Sequence, residues 1–155
     1  MIIKNLYSAC IQITTKNLTI LCDPWFSQGI ADGSWYLFPK PKNALRCIDD
    51  PDLIYISHIH NDHYDSKFLN KLFLKFGKKK IIIPKFKKNY LEIRAKLDGF
   101  DVQAIDKLSV KKTNIHIIPN DQSNPADVDS ALFVNCEITK KNMINLNDST
   151  YGVPH

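Results

Sequence analysis

The sequence predicts a mixed α/β fold, and three observations carry that prediction. Short apolar runs alternate with helix-period segments from Cys10 to Ile105. Strand-like runs then follow one another without helices between them, at 114–118, 131–135 and 143–146. The 155 residues are 44% hydrophobic and 24% charged, enough for one domain with one core over residues 1–155 and unlike a disordered or collagen-like chain.

Each element has a local reason. Residues 10–14 and 18–22 read as a hairpin: Ile11 and Ile13 share one face of the first strand, and Thr15-Lys16-Asn17 supplies a polar turn. Asp23-Pro24 ends the second strand, because Pro lacks an amide donor and pushes the residue before it away from helical backbone. Over 25–52 no period is visible, yet Trp25, Phe26, Trp35, Tyr36 and Phe38 lie among Gly29, Gly33, Pro39 and Pro41. So aromatic a loop is expected to pack over the sheet and flank an opening rather than stay disordered.

Leu53-Ile54-Tyr55-Ile56 is an uninterrupted apolar run, as in a strand buried on both faces, and it delivers the chain into residues 57–65. Asp65 or Ser66 can cap a helix over 67–76, with Phe68, Leu69, Leu72, Phe73 and Phe76 on one face and Lys67, Lys71 and Lys75 on the other. Gly77 stops it. A strand at 78–83 ends at Pro84, a short helix around 90–97 ends at Gly99, and a further strand is expected at 101–105.

Charge and cysteine usage narrow the function. The net charge is +5, from 21 basic and 16 acidic residues, and only Arg46 and Arg94 are arginines. Eleven basic residues and one acid, Glu92, fall within 67–96. That stretch is expected to be a solvated lysine face or a field that steers an anionic substrate, such as a phosphate ester or nucleotide sugar. A nucleic-acid partner is disfavoured, because Phe68, Phe73 and Phe76 lie on the apolar helix face and are spent on the core. Cys10, Cys22, Cys47 and Cys136 form no CxxC pair and are expected as buried free thiols. With no apolar run near ~20 residues and no secretory pattern at MIIKNLYSAC, a cytoplasmic protein without a membrane span is expected.

The densest chemistry is His58, His60, Asp62 and His63, four metal-ligand side chains within six residues directly after a buried strand. Imidazole with carboxylate suits zinc, iron or manganese.

The stretch Ser57-His58-Ile59-His60-Asn61-Asp62-His63 resembles the HxHxDH motif of the metallo-β-lactamase superfamily. Asp23, closing an early strand, is similar to the family's aspartate that braces the histidine loop, and Asp148, closing a late strand, to its metal-bridging carboxylate. Residues 23–41, with Gly33-Ser34-Trp35-Tyr36 and Pro39, resemble the branch containing the CMP-N-acetylneuraminate hydroxylases and related cytoplasmic hydrolases. The resemblance implies an αβ/βα sandwich, here shortened at its C-terminal side. It implies a metal-dependent hydrolase in which metal-bound hydroxide attacks an ester, phosphodiester or lactone of an anionic small molecule or nucleotide sugar. Zinc is the implied ion, with iron or manganese as alternatives, in one or two copies. His58 and His60 would hold one ion and Asp62 and His63 a second, with Asp148 between them. Asp62 is also the implied catalytic residue, orienting the attacking group or assisting proton transfer.

The sequence departs from that pattern in two places. The loop where the family carries a further histidine reads Asn120-Asp121-Gln122-Ser123-Asn124-Pro125-Ala126-Asp127, leaving Asp121 or a water as the substitute; His116 falls mid-strand. Beyond Asp148 only His155 remains. No cysteine stands two residues from a histidine, so a Rieske cluster is not encoded and hydroxylase chemistry would require a separate electron donor. The alternative expectation is therefore a catalytically degenerate or truncated relative that binds anions or assembles with another subunit. In either case a second copy, as a homodimer, is the simplest cover for the incomplete sheet.

Overall fold

The computed structural model describes residues 1–120 and 129–149. A six-stranded sheet has the spatial order β1 (Ile2–Tyr7), β2 (Cys10–Thr14), β3 (Thr19–Cys22), β4 (Leu53–Tyr55), β5 (Lys80–Ile83) and β6 (Val102–Ala104). The first three strands pair antiparallel, and β3 through β6 pair parallel. Between β3 and β4 the chain makes two one-turn elements, α1 (Ile30–Gly33) and α2 (Ala44–Cys47); α3 (Ser66–Phe76) joins β4 to β5 and α4 (Tyr90–Leu97) joins β5 to β6. The second sheet, β7 (Lys107–Val110), β8 (Thr113–Asn120), β9 (Asp129–Cys136) and β10 (Lys141–Asn145), is antiparallel throughout, in the order β10-β9-β8-β7.

Period-2 alternation divides the side chains of the first sheet between two cores. Leu21, Ile54, Ile56, Ile81 and Ile83 face α3, α4 and the 25–52 loop, packing with Phe68, Leu69, Leu72, Leu91, Trp25 and Phe26. Ile20, Cys22, Leu53, Tyr55 and Ile82 face the second sheet and meet Ile115, Ile117, Leu132 and Val134. Each fully buried aliphatic side chain here contributes roughly 1.5–3 kcal/mol of transfer free energy. Polar ties cross the sheet interface as well: Thr15 Oγ1 lies 2.9 Å from Thr113 Oγ1, and the Tyr55 hydroxyl lies 2.7 Å from Ser130 Oγ.

The predicted α3 is present, with Asp65 as the cap: its carboxylate accepts from the Phe68 N–H at 2.9 Å. The same carboxylate accepts from the Phe26 and Ser27 amides and the Ser27 hydroxyl, so one buried acid starts the helix and anchors the aromatic loop. The far end of that loop is pinned by Gln12, whose Nε2 donates to the Asp49 carbonyl at 2.7 Å. Trp25, Phe26, Leu37 and Ile48 of the loop are buried, whereas Trp35, Tyr36 and Phe38 are exposed.

The layers are thus helix, sheet, sheet. Among the described residues no helix covers the outer face of the second sheet, in keeping with the expected shortened sandwich. That face has two parts. Asn142, Asn135 and Asn114 stand in register across three strands and hydrogen-bond through their side-chain amides. Phe133, Ile118 and Ile144 follow toward the Asp129 end, with Leu146 exposed just beyond the last strand. Two corrections follow. β1 and β7 were not expected as strands, and Cys47 is exposed while the other three cysteines are buried free thiols. Among the described residues no helix is long and apolar enough to cross a membrane.

Candidate metal centre

The centre forms where β3, β4 and β9 and the turn after β10 meet at one end of the two sheets. β4 lies centrally, between β3 and β5, so the chain leaving its carboxyl end emerges in the crevice where α/β sheets hold their ligands. The Asp23 N–H donates to the Tyr55 carbonyl at 2.9 Å, and the Ser57 N–H donates back to Asp23 Oδ1 at 2.7 Å. Asp23 takes a positive φ of 44°, a conformation Asp tolerates better than most residues, and this turns its carboxylate under the histidine loop. The loop then tightens, with the His63 and Tyr64 amides both donating to the His60 carbonyl.

Each imidazole has a distinct setting. His63 is buried, with Nδ1 3.3 Å from Asp23 Oδ2 and 3.1 Å from the Ser57 hydroxyl. Its Nε2 faces the other way, 3.3 Å from Asp148 Oδ2 and 3.6 Å from Asp62 Oδ2. His58 is also buried; its Nδ1 lies 2.9 Å from the Ser57 hydroxyl and 3.0 Å from Asp129 Oδ1, and its Nε2 lies 2.8 Å from His60 Nδ1. His60 itself is exposed. Desolvation depresses the His63 pKa, but the Asp23 carboxylate, reinforced by Asp62 and Asp148, outweighs it and holds the imidazole at about 9. Asp129 is pulled the opposite way: burial raises its carboxyl, and the adjacent His58 brings it below the usual carboxylate value.

These donors fit a divalent ion. Ligand atoms bound at ~2.0–2.2 Å to one tetrahedral ion stand roughly 3.3–3.5 Å apart. The pairs His63 Nε2–Asp148 Oδ2 and His63 Nε2–Asp62 Oδ2, at 3.3 and 3.6 Å, lie close to that spacing, whereas His58 Nε2 and His60 Nδ1, at 2.8 Å, are hydrogen-bonded to each other and would have to part to admit an ion. Ligand atoms of His58, His63 and Asp148 all fall within 4.8 Å of one another. The Nδ1 atoms of His58 and His63 take the contacts with Asp129 and Asp23 behind the rings, which leaves both Nε2 atoms turned toward the cluster.

All five sequence-predicted residues, His58, His60, Asp62, His63 and Asp148, are thus neighbours. Asp23 sits behind them, as expected of a brace. His116 does not join them; it is paired with Lys107 and Phe133 in the second sheet, its ring edge-on to Phe133 at 5.9 Å. Asp121, Asn124, Pro125 and His155 lie outside the described residues. Three contributors were not anticipated: Ser57, Asp129 and Ser149, whose hydroxyl donates to Asp129 Oδ2 at 3.0 Å. No spacing rule could have found the latter two, since the stacking of the two sheets brings Asp129 to His58 and Ser149 reaches the cluster through Asp129.

A hollow of about 300 Å³ opens beside the cluster, lined by Ile30, Ala31, Trp35, His60, Asn61, Asp62 and Asp148. A second, of about 350 Å³, shares Ile30 and Asn61 with it and includes Lys67 and Arg94 in its wall.

Comparison with known proteins agrees with this architecture. The chain is 31% identical over 119 residues to the cytidine monophosphate-N-acetylneuraminic acid hydroxylase of Danio rerio and 33% identical over 112 residues to that of Xenopus laevis. Each alignment covers 72% of this chain but only 17% of the hydroxylase, so the chain spans about a sixth of these relatives' length. Among solved structures, a possible metal-dependent hydrolase from Veillonella parvula superposes with a TM-score of 0.71 at 15% identity, over 97% of this chain and 63% of the other. An isothiocyanate hydrolase from Delia radicum gut bacteria superposes with a TM-score of 0.61 at 16% identity, over 87% and 58%. The model of the beta-lactamase superfamily domain matches residues 3–139, which take in the histidine loop, its Asp23 brace, the first sheet from Ile3 onward and the second sheet up to the end of β9, and the chain belongs to that family.

Proposed function

We propose that the chain is a metal-dependent hydrolase acting on an ester, phosphodiester or lactone of an anionic small molecule or nucleotide sugar. The observation that carries this reading is the convergence of His58 Nε2, His60 Nδ1, His63 Nε2 and the Asp62 and Asp148 carboxylates beside one hollow. His58 and His60 would hold one ion, Asp62 and His63 a second, and Asp148 both. Zinc matches the mixed imidazole and carboxylate donors, with iron and manganese as the alternatives. When bound, such an ion supplies a Lewis acid and a water of lowered pKa.

The chain's own groups do the rest. Asp62 borders the hollow with its carboxylate partly exposed, so it can orient the attacking group and hold a proton during bond cleavage. Trp35 and Ile30 form an apolar wall that limits water around the reacting atoms. Lys67 and Arg94 in the adjoining hollow favour a substrate bearing negative charge, and the names of the hydroxylase relatives are consistent with a nucleotide sugar. The protein is read as cytoplasmic.

A second reading has its own observation: among the described residues no further histidine reaches the cluster, since His116 lies in β8. On that reading the chain binds anions or joins another subunit, most simply a second copy laid over the second sheet, without turnover. Elemental analysis and hydrolysis of bis(p-nitrophenyl) phosphate separate the two. The hydrolase reading expects about one or two ions per chain and at least a 100-fold loss of hydrolysis in H58A and D62N. Metal below about a tenth of an ion per chain after incubation with zinc, iron or manganese would sink it.

A further inference from the structure

Asp129 is out of place as an ordinary strand residue. It opens β9, it is buried, and its Oδ1 has no aligned hydrogen-bond donor although His58 Nδ1 lies 3.0 Å away. A buried carboxylate oxygen is best satisfied by a proton aimed at it, and the group within reach that could supply one is the Nδ1 of His58. Its other oxygen is fixed by the Ser149 hydroxyl at 3.0 Å. Ser149 directly follows Asp148, whose carboxylate lies 3.3 Å from His63 Nε2. The same arrangement recurs on the other imidazole, where Asp23 Oδ2 is likewise buried without an aligned donor, 3.3 Å from His63 Nδ1.

We propose that Asp129 is a positioning residue for metal binding: it holds the Nδ1 side of His58 so that Nε2 is presented to the ion, and through Ser149 it fixes the turn that brings Asp148 to the same centre. One buried carboxylate thereby sets two ligands from opposite sheets, one following β4 and one following β10. Coordination through Nε2 would favour the His58 tautomer with its proton on Nδ1, the nitrogen 3.0 Å from Asp129 Oδ1. A well-aligned Nδ1–H to Asp129 Oδ1 contact would then favour the ion-binding tautomer, which places this contact among the determinants of affinity. The proposal rests on the metal-centre reading and adds a residue to it.

The test titrates the metal-free full chain with Co²⁺ alone, in competition with a chromophoric chelator, and records the visible Co²⁺ spectrum and the thermal midpoint without metal. D129N is expected to bind Co²⁺ about 10- to 100-fold more weakly, with altered d–d bands, while its metal-free midpoint does not fall. S149A, which leaves the carboxylate in place but frees its outer oxygen, is expected to weaken binding about three- to tenfold, with S149T restoring most of it. A folded D129N that binds Co²⁺ within about twofold of the parent overturns the proposal, as does a lowered metal-free midpoint with unchanged affinity, which would mark Asp129 as a purely structural acid. If D129N does not fold, S149A decides, and affinity equal to the parent's overturns the coupling. Failure of the parent itself to bind Co²⁺ rejects the metal centre as a whole, a result distinct from loss of the Asp129 effect alone.

Discussion

If His63 is a metal ligand, as proposed, an ion binding there would displace a proton, and the setting of the imidazole gives that effect a direction and an order of magnitude. His63 is held at about 9 instead of its ordinary 6.5. The difference corresponds to about 3 kcal/mol, at 1.4 kcal/mol per tenfold change in a binding constant. The sign differs for the two equilibria it touches. For the metal-free fold, a group held above its unfolded value contributes its stabilisation fully below about pH 6.5 and loses it as pH climbs to about 9. For the ion, the proton on folded His63 competes at every pH below about 9, so apparent affinity would rise about tenfold per pH unit up to that point and level off above it. Zn²⁺ titration against a competing chelator between about pH 7 and pH 8.5 measures the slope, and calorimetry in buffers of different ionisation enthalpy counts the released proton directly. D23N keeps an acceptor for the Ser57 amide but removes the charge beside His63, so its slope should flatten. A parent affinity independent of pH over that range, or an undiminished slope in D23N, would refute this account of His63.

Three further outcomes test the scaffold. D65A removes the acceptor of the Phe68 cap and of the Phe26 and Ser27 amides together, and chemical denaturation should show a loss of about 2–4 kcal/mol, with D65N losing less. L69A, at a position with no exposed surface, is expected to cost about 2–5 kcal/mol, whereas L74A, at a side chain 88% exposed on the same helix, should stay within about 0.5 kcal/mol. Gly77 takes a φ of 78° with open space where a Cβ would stand, so G77A should cost about 1 kcal/mol from backbone strain alone, read as a lower thermal midpoint.

What could be read in the sequence divides along a physical line. β4 and α3 were legible because burial on both faces leaves an uninterrupted apolar run, and burial on one face leaves a 3.6-residue repeat, as with Phe68, Leu69 and Leu72. The histidine cluster was legible because its four side chains fall within six residues of the chain. β1 was missed because it is an edge strand with its first four residues exposed, so no core constrains its pattern. β7 was missed because its four residues alternate only between exposed and half-buried. Asp129 was missed for a different reason: His58 lies at the end of β4 and Asp129 at the start of β9, and only the stacking of two sheets makes them neighbours.

The asparagine ladder of the second sheet makes that surface two-toned. Its rungs satisfy one another sideways, so this third of the face is at ease in water and offers little to an arriving surface. The grease is gathered at the opposite end, around Ile118, Phe133, Ile144 and Leu146, beside the turn that carries Asp148 and Ser149. A surface laid on this sheet would find its apolar footing beside the turn that carries Asp148 and Ser149, and in settling would brace that turn.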